Sequence, residues 1–235
     1  MRIVLVIAHP DDEAFGPGGT IAKCAKRHDV FIICATKGQA GKDSWKIRVR
    51  SLGEERRDEL RRSAKILGVQ KVFFLGFEDG KLSQSVYHEL AKKLEGILRA
   101  LRPKIIIAPE PRGISGHIDH VTVSMVSSFV YEKLNFVKTI LYYCITEKRA
   151  KALKGYFIYV PPGYKESEID LKIDIRDVWD QKVRAMMEHT SQVHDIKRIL
   201  ARAKKFPKEE NFLVALKGIR RKNIRALRRI LGARF

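Results

Sequence analysis

Two short clusters of polar side chains carry the residue types that bind metal ions and transfer protons. The first, HPDDE at residues 9–13, follows an apolar run at residues 3–8. The second, HIDH at residues 117–120, comes after an apolar run at residues 105–108 and the loop that follows it. Imidazoles and carboxylates next to a buried strand are costly unless they are solvated, paired or bound to a ligand. Each cluster is therefore a candidate functional site.

The chemistry that these side chains allow is metal-assisted hydrolysis of an amide. Two imidazoles and one carboxylate make a good zinc site with a fourth position left for water, and zinc lowers the pKa of that water to about 7. A second carboxylate can accept a proton, and a further histidine can stabilise an oxyanion or protonate a leaving amine. Taken singly, each cluster also has a structural interpretation, because Asp11 and Asp12 suit a solvated turn and Asp119 suits a helix N-cap.

The elements around the clusters predict a parallel sheet that brings them together. Apolar runs predict strands, and amphipathic stretches between them predict helices. The predicted strands are 3–8, 30–35, 72–75 and 105–108, and the predicted helices are 16–26, 45–67 (ended by Gly68) and 87–101 (ended by Pro103). This alternation indicates a Rossmann-like α/β fold, a mostly parallel sheet with helices on both faces. Ligands bind beyond the carboxyl ends of such strands, so both clusters are expected at one edge.

The pattern changes after about residue 135. Residues 137–145 and 156–160 are predicted as strands, and residues 174–205 as mostly helical, with Pro207 as an interruption. We expect a single domain with a C-terminal elaboration. Residues 1–195 form the catalytic part, and residues 196–235 form a basic, helical extension of the same domain.

The charge of the chain is concentrated in that extension. The net charge is +20, and residues 197–235 contain fourteen Lys and Arg against two Glu, which gives 14 − 2 = +12. Ile224, Leu227 and Leu231 recur with the spacing of a basic amphipathic helix, which can lie on an anionic membrane, pack on its own domain or form a subunit interface. On the membrane interpretation, truncation after Pro207 is expected to weaken binding to anionic vesicles and to leave hydrolysis of small soluble substrates largely intact.

Composition restricts the class of protein further. The apolar N-terminal stretch is short and meets charged residues at once, so it is interpreted as a buried strand and not as a signal peptide. No apolar run approaches the roughly 20 residues that span a bilayer. The three cysteines match no zinc or redox spacing and indicate buried thiols in a reducing cytoplasm, with peripheral membrane contact as an option.

The sequence disfavours two other classes of function. A dinucleotide-binding protein is disfavoured because Ile21 occupies the third glycine position of the phosphate-binding fingerprint, and Thr36 and Lys37 stand where an acidic residue would end the second strand. The second class is a basic protein with an inactive site that binds a membrane or nucleic acid. The net charge agrees with this class, but the intact set of metal-binding residues does not. Nucleic acid is not favoured as a partner. An oligomer remains open.

Together the motifs resemble one known family. The sequences AHPDDE at residues 8–13 and GHIDH at residues 116–120 resemble the two signatures of the PIG-L/LmbE-like de-N-acetylases. Weaker agreement comes from the glycine-rich stretch at 16–20, TKGQAG at 36–41, RRDEL at 56–60, the Asp79–Gly80 pair and HTSQ at 189–192. The family includes deacetylases of N-acetylglucosaminyl-phosphatidylinositol, of the mycothiol pathway and of diacetylchitobiose. The resemblance covers roughly residues 1–195.

The resemblance implies a zinc cofactor and a role for each motif residue. It implies that His9, Asp12 and His120 bind zinc, that Asp11 is the general base, and that His117 assists the tetrahedral intermediate and the leaving group.

Further roles implied by the resemblance concern the surroundings of the zinc site. Asp119 would orient His117, Arg56 would contact the substrate, and Asp79 would contact a sugar hydroxyl. Glu13 and Gln192 match motif positions with expected structural roles.

The expected reaction is removal of the acetyl group from an N-acetylglucosamine-type amino sugar or its conjugate. The alternative is a zinc amidase that acts on a non-sugar or sugar-conjugate amide. One difference from the family pattern weakens the inference that this chain shares the substrate of some members. They carry a tyrosine two residues before the first histidine of GHxDH, and this chain has Ser115.

Overall fold

Strand β1, with the sequence RIVLVI, is buried along nearly its whole length at the centre of the sheet. The computed structural model describes residues 1–41, 51–153, 155, 159–217 and 224–231. Within them, seven strands form one sheet in the order β3-β2-β1-β4-β5-β7-β6. The strands are β1 Arg2–Ile7, β2 Asp29–Thr36, β3 Lys71–Phe77, β4 Ile105–Pro109, β5 Thr139–Cys144, β6 Leu171–Asp174 and β7 Glu209–Leu216.

The first five strands are parallel, and β1 lies between β2 and β4. The chain moves from β1 outward to β3 and then returns to the other side of β1 with β4. The carboxyl ends of β1 and β4 therefore lie side by side at the point where the strand order reverses, which is where open α/β sheets bind ligands. This arrangement confirms the α/β fold and the shared edge.

Helices cover both faces of the sheet, as the alternating pattern predicted. They are α1 Asp12–Phe15, α2 Gly18–Ala25, α3 Leu52–Leu67, α4 Tyr87–Leu101, α5 Gly113–Gly116, α6 Ile118–Lys133, α7 Glu147–Lys151, α8 Trp179–Met187, α9 Val193–Ala203 and α10 Ile224–Ile230. Alternate β1 side chains enter two cores: Ile3 and Leu5 pack with α2, α3 and α8, and Val4 and Val6 pack with α4 and α6. A strand covered on both faces has to be apolar throughout, which explains the continuous run.

Helix α3 ends where its sequence predicted. Gly68 has φ 82° and donates its N–H to the carbonyls of Ala64 and Lys65, a left-handed helix end that favours glycine. The helix begins after Ser51, whose side chain accepts the N–H of Glu54. The earlier turns predicted from residue 45 lie outside the described residues.

The C-terminal third differs from the expectation. Residues 209–216 form β7, which pairs antiparallel with β5 on one side and with β6 on the other, whereas residues 196–235 were expected to be helical. The β7 signal was hidden because Glu210 and Asn211 are buried polar residues. The strand predicted at 156–160 is not found at Tyr159 or Val160, and residues 156–158 lie outside the described residues.

The position of β7 overturns one further expectation. Because β7 joins β6 to the rest of the sheet, truncation after Pro207 would remove a central connection and not a dispensable tail. Helix α10 packs on its own domain: Leu227 and Leu231 are buried in the core, and the His28 ring lies 3.0 Å from the Ile230 carbonyl oxygen. No helix in the described ranges has the length and apolar character that crossing a bilayer requires.

The N-terminus of α2 explains why the dinucleotide interpretation fails physically. The backbone N–H groups of Gly19 and Thr20 donate to the two carboxylate oxygens of buried Glu210, at 2.8 and 2.7 Å. Lys182 Nζ lies 2.6 Å from Glu210 and 2.6 Å from the Gly16 carbonyl oxygen. A helix N-terminus of this kind attracts phosphate, and here an internal carboxylate already fills it.

Candidate metal centre

The turn after β1 directs Asp12 toward the edge of the sheet. One carboxylate oxygen, Oδ2, accepts the backbone N–H groups of Ala8 at 3.1 Å and His9 at 2.9 Å. The other, Oδ1, lies 3.1 Å from His120 Nε2. Burial acts to raise the pKa of Asp12, but His120 and His9 outweigh it and hold that pKa well below its usual range.

His120 comes from the first turn of α6. Its Nε2 lies 3.2 Å from Nδ1 of His9, and its Nδ1 lies 3.2 Å from the carbonyl oxygen of Gly113. Because a carbonyl only accepts, Nδ1 of His120 carries the proton and Nε2 keeps a free lone pair. The two clusters that the sequence separates by about a hundred residues are in contact.

The spacing of these donor atoms fits a divalent metal. Tetrahedral zinc, with ligand distances of about 2.0–2.1 Å, places its ligand atoms about 3.3 Å apart. The corresponding distances are 3.2 Å from His9 Nδ1 to His120 Nε2 and 3.1 Å from His120 Nε2 to Asp12 Oδ1, and the ligand atoms of all three residues lie within 4.8 Å of one another. Two imidazoles and a carboxylate at this spacing form a site that can hold zinc.

The other nitrogen of His9 is held by two carboxylates. Nε2 lies 2.9 Å from Asp79 Oδ1 and 3.2 Å from Asp119 Oδ2. Burial acts to lower the pKa of His9, but hydrogen bonds to Asp119 and Asp79 and the charge of Asp12 raise it to about 10. The negative charge of these carboxylates therefore makes the folded site attractive to a cation. The same contacts hold a proton on Nε2, so that Nδ1 faces the metal-binding atoms of His120 and Asp12.

Asp119 and Asp79 both direct a carboxylate toward His9. The carboxylate of Asp119 accepts the backbone N–H groups of Gly80 at 2.7 Å and Leu82 at 3.2 Å in addition to its contact with His9. It is the backbone N–H of Asp119 that contacts His117, at 3.2 Å from Nδ1. The carboxylate of Asp79 accepts the N–H of Ala40 at 3.0 Å. Both carboxylates face inward because each satisfies backbone donors of neighbouring loops.

A second group of potential ligands overlaps the first. His9, Asp79 and His117 also have donor atoms within 4.8 Å of one another. This group shares His9 with the first set, and it would use the carboxylate that already holds the His9 ring. The distances leave both groups possible, and metal analysis of variants separates them.

Asp11 has an unusual backbone conformation beside these donors. Its φ of 112° lies in a region that side-chain-bearing residues rarely adopt, and such residues concentrate at functional sites. Its N–H donates to Glu13 Oε2 at 3.0 Å. Burial raises the pKa of Asp11 to about 6, although the Arg56 guanidinium acts to lower it.

Arg56 supports Asp11 from within the protein and has no exposed guanidinium for a substrate. The residue is 4% exposed. Nη2 donates to Asp11 Oδ2 at 2.8 Å and to the Pro10 carbonyl at 2.6 Å, and Nη1 donates to the Gly38 carbonyl at 2.7 Å. A Cβ at Gly38 would lie 2.4 Å from Nη1, and φ there is 69°, which explains the glycine in this loop. The structure thus adds a contact with the proposed base, and the substrate contact of Arg56 stays a prediction.

This placement predicts the effect of Arg56→Met. The variant leaves one carboxylate and two carbonyls unpaired in buried surroundings, so the free energy of unfolding should fall by about 3–5 kcal/mol. A substrate contact would instead raise KM with stability unchanged. Urea denaturation and steady-state kinetics separate the two, with Arg61→Met, exposed on the same helix, as the control. Unaltered stability together with a raised KM would restore the substrate role.

A buried network behind Asp11 was not anticipated in its details. Glu13 Oε1 accepts the Ser63 hydroxyl at 2.6 Å and lies 2.7 Å from His189 Nε2. Burial acts to lower the pKa of His189, but the Glu13 carboxylate raises it. Glu59 accepts the N–H and hydroxyl of Ser191 at 2.6 and 2.7 Å. The HTSQ motif at residues 189–192 was the sequence signal for this network. The network joins helices α3 and α8 to the turn after β1.

His117 stands at the half-buried side of the centre. Its ring meets the His9 ring edge-on at a centroid distance of 4.6 Å and stacks on His120 at 5.1 Å. Burial lowers the pKa of His117, and the charges of His9 and His120 lower it further. Since Nδ1 faces the N–H of Asp119, Nε2 carries the proton in the neutral ring.

Comparisons with known proteins agree with this site. The PIG-L family, described as GlcNAc-PI de-N-acetylase, matches residues 4–130, which include both clusters. The diacetylchitobiose deacetylase of Thermococcus kodakarensis is 31% identical over 196 residues, covering 81% of this chain and 70% of that protein.

Two solved structures share the fold. The N,N'-diacetylchitobiose deacetylase from Pyrococcus horikoshii, complexed with its inhibitor MPG, has a TM-score of 0.68 at 24% identity and covers 92% of this chain and 84% of its own. GalB, the 4-carboxy-2-hydroxymuconate hydratase from Pseudomonas putida KT2440, has a TM-score of 0.69 at 18% identity and covers 94% and 98%. At these identities the structures establish the shared fold alone.

Proposed function

The chain belongs to the PIG-L family of GlcNAc-PI de-N-acetylases, and from that premise we propose that it is a zinc-dependent hydrolase that removes the acetyl group from an N-acetylglucosamine-type amino sugar or its conjugate. The observation that carries the proposal is the contact of His9, Asp12 and His120 at the spacing that a zinc ion requires.

In each zinc-binding side chain, the ligand atom is assigned as the one whose neighbour in the same side chain is occupied by another protein group. Asp12 Oδ1 and His120 Nε2 face each other while their partner atoms, Asp12 Oδ2 and His120 Nδ1, are occupied by backbone groups. His9 contributes Nδ1 because Asp79 and Asp119 hold Nε2. Zinc supplies Lewis acidity toward a carbonyl oxygen and activation of water near neutral pH.

Asp11 is assigned as the general base. A general base works best when its pKa is near the working pH, and burial raises the pKa of Asp11 to about 6. Arg56 binds Oδ2 and fixes the carboxylate, so Oδ1 is the oxygen that takes the proton from the attacking water. The strained backbone of Asp11 holds this carboxylate next to Asp12.

His117 is assigned to the carbonyl oxygen and the leaving amine. Its lowered pKa keeps the ring neutral at pH 7, so Nε2–H donates a hydrogen bond to the developing oxyanion. The departing nitrogen receives the proton that Asp11 took from the water, and His117, whose Nδ1 is held by the Asp119 N–H, keeps its own proton and donates a hydrogen bond to the group as it leaves. Because Ser115 stands where some relatives have a tyrosine, oxyanion stabilisation in this chain rests on the metal and His117.

The substrate class is taken from the relatives. The family description names GlcNAc-PI and the Thermococcus relative is named for diacetylchitobiose, and both compounds carry the 2-acetamido group of N-acetylglucosamine. The discriminating experiment incubates zinc-loaded protein with N-acetylglucosamine, diacetylchitobiose, an N-acetylglucosaminyl-inositol conjugate and a non-sugar N-acetyl amino acid, and measures free acetate. Release from the amino acid alone would favour the amidase alternative, and release from none would contradict deacetylation.

The C-terminal segment has exposed basic side chains of the kind that anionic lipid attracts. Lys204, Lys205 and Arg229 are exposed in the C-terminal segment, while Leu227 and Leu231 point into the core. We therefore propose electrostatic attraction to a membrane without insertion. The buried, unbridged cysteines suit a reducing compartment, so the cytoplasmic leaflet is the proposed surface.

The variant Lys204→Gln/Lys205→Gln/Arg229→Gln tests this attraction. Each charge near an anionic surface contributes about 1 kcal/mol, so binding to phosphatidylserine vesicles should weaken by about a hundredfold and should fade with salt. Vesicle co-sedimentation measures it. The matched control neutralises Lys65, Lys81 and Lys92, which are exposed elsewhere. Equal loss in both triple variants would reduce the effect to net charge, and no vesicle binding by the parent protein would end the proposal.

A further inference from the structure

Glu110 follows β4 at the start of the loop that leads to the second cluster. It is 2% exposed, and its carboxylate accepts three hydrogen bonds. Oε1 accepts the Ile114 N–H at 2.6 Å, and Oε2 accepts the Arg112 N–H at 2.7 Å and the Tyr164 hydroxyl at 2.6 Å. A buried carboxylate with this many donors fixes the loop around it.

The loop that Glu110 holds is conformationally unfavourable. Ile114 has φ 63° and ψ −61°, which is rare for a β-branched residue. Gly113 has φ 71°, and a Cβ there would lie 2.8 Å from the Val121 side chain. Such a conformation persists only where the surroundings impose it, and the bond from Ile114 N–H to Glu110 is one such constraint.

One peptide unit links Glu110 to the metal centre. The N–H of Ile114 binds Glu110, and the carbonyl of Gly113, in the same planar peptide, faces His120 Nδ1 at 3.2 Å. Because a peptide is rigid and its N–H and C=O point in opposite directions, fixing the N–H also fixes the direction of the carbonyl. That carbonyl decides which nitrogen of His120 carries the proton.

Tyr164 anchors Glu110 to the neighbouring segment. Burial and the hydrogen bond to Glu110 raise the pKa of Tyr164, so its hydroxyl remains a donor. The Arg112 guanidinium lies 4.3 Å over the Tyr164 ring, and its Nη1 donates to the Pro162 carbonyl at 2.8 Å. The loop and residues 162–164 therefore hold Glu110 from two sides.

We propose that Glu110, held by Tyr164, is a positioning residue that sets the tautomer and orientation of His120 through the Gly113–Ile114 peptide, and so tunes the affinity of the site for a divalent metal. The inference rests on the proposed function only in taking His120 as a metal ligand.

The test is Glu110→Gln in the full-length protein. The amide places an NH₂ group where backbone N–H groups point, so the loop loses an acceptor. Outer contacts of metal-binding histidines typically change affinity by about 10- to 100-fold, and we expect that loss in a zinc competition with a chelator. Tyr164→Phe removes a single hydrogen bond and should give a smaller loss in the same direction. Glu132→Gln, exposed on α6, and Tyr87→Phe, exposed on α4, are the matched controls.

A second measurement separates positioning from general stability. In ¹⁵N-labelled, zinc-loaded protein the His120 Nδ1–H should be visible and slow to exchange, and Glu110→Gln should speed its exchange. A purely structural Glu110 would lower the unfolding midpoint and leave both zinc affinity and this proton unchanged, and that result overturns the proposal while the deacetylase assignment stands. Should Glu110→Gln fail to fold, Tyr164→Phe decides by the same two measurements. Zinc binding that survives His120→Ala would refute the ligand assignment, and this inference with it.

Discussion

Purified protein is expected to bind about one zinc per chain, and His9→Ala, Asp12→Ala or His120→Ala is expected to remove both the metal and the deacetylation. Each change removes one of the three protein ligands in the group formed by His9, Asp12 and His120, and that group has no fourth protein ligand. Loss of the metal also removes the activation of water. Metal content after dialysis and acetate release are the measurements.

His117→Ala separates the two possible ligand groups. If zinc lies among His9, Asp12 and His120, this variant keeps its metal and loses turnover. If zinc lies among His9, Asp79 and His117, it loses both. His88→Ala, on the exposed side of α4, is the control for removal of an imidazole. Metal retained by all three variants of the first group would show that the site is misassigned.

Asp11→Asn is expected to keep the metal and to lower turnover by about 10²- to 10⁴-fold, the usual contribution of a general base. Asparagine preserves the shape of the side chain and tolerates a positive φ, but it cannot accept the proton from water. Zinc content, kcat and the unfolding midpoint should be measured together, because the variant also breaks the ion pair with Arg56.

The interpretation of Asp11 depends on which of these quantities changes. Asp29→Asn, exposed at the start of β2, controls for the substitution itself. A fall in zinc content would make Asp11 part of metal binding. Normal turnover with zinc bound would rule out its role as the base.

The sequence was sufficient to bring the two clusters together, because that depends only on where strands end. Continuous apolar runs identify buried parallel strands, and the carboxyl ends of parallel strands lie at one edge of the sheet. The α/β fold was predictable for the same reason. The adjacency of β1 and β4, which brings His9 into contact with His120, comes from the structure.

The directions of individual side chains were not predictable in this way. Arg56 and Asp79 were predicted to contact the substrate, and the sequence did not indicate that Arg56 also supports Asp11 and that Asp79 also holds His9. The partner of a buried charged side chain depends on the paths of loops such as residues 38–41 and 79–82. Hydrophobic periodicity does not predict those paths. Strand β7 was missed because its buried Glu210 serves the α2 N-terminus instead of a core position.

The solved structures show how far fold alone can carry a functional assignment. A chain shaped like this one is a deacetylase in one case and a hydratase in another. Fold similarity therefore supports the architecture, and the reaction has to be argued from the residues at the edge of the sheet. In this chain those residues are the ones that the PIG-L match covers.

The contacts of Glu210 set the order in which the molecule can be assembled. Glu210 is separated by 191 residues from Gly19, whose N–H it accepts, and His189 is separated by 176 residues from Glu13. At about 5–20 residues per second, a ribosome delivers Glu210 about 10–40 s after Gly19. Until then the turn that carries His9, Asp11 and Asp12 lacks its buried partners. The turn after β1 is therefore completed only after most of the chain has been synthesised.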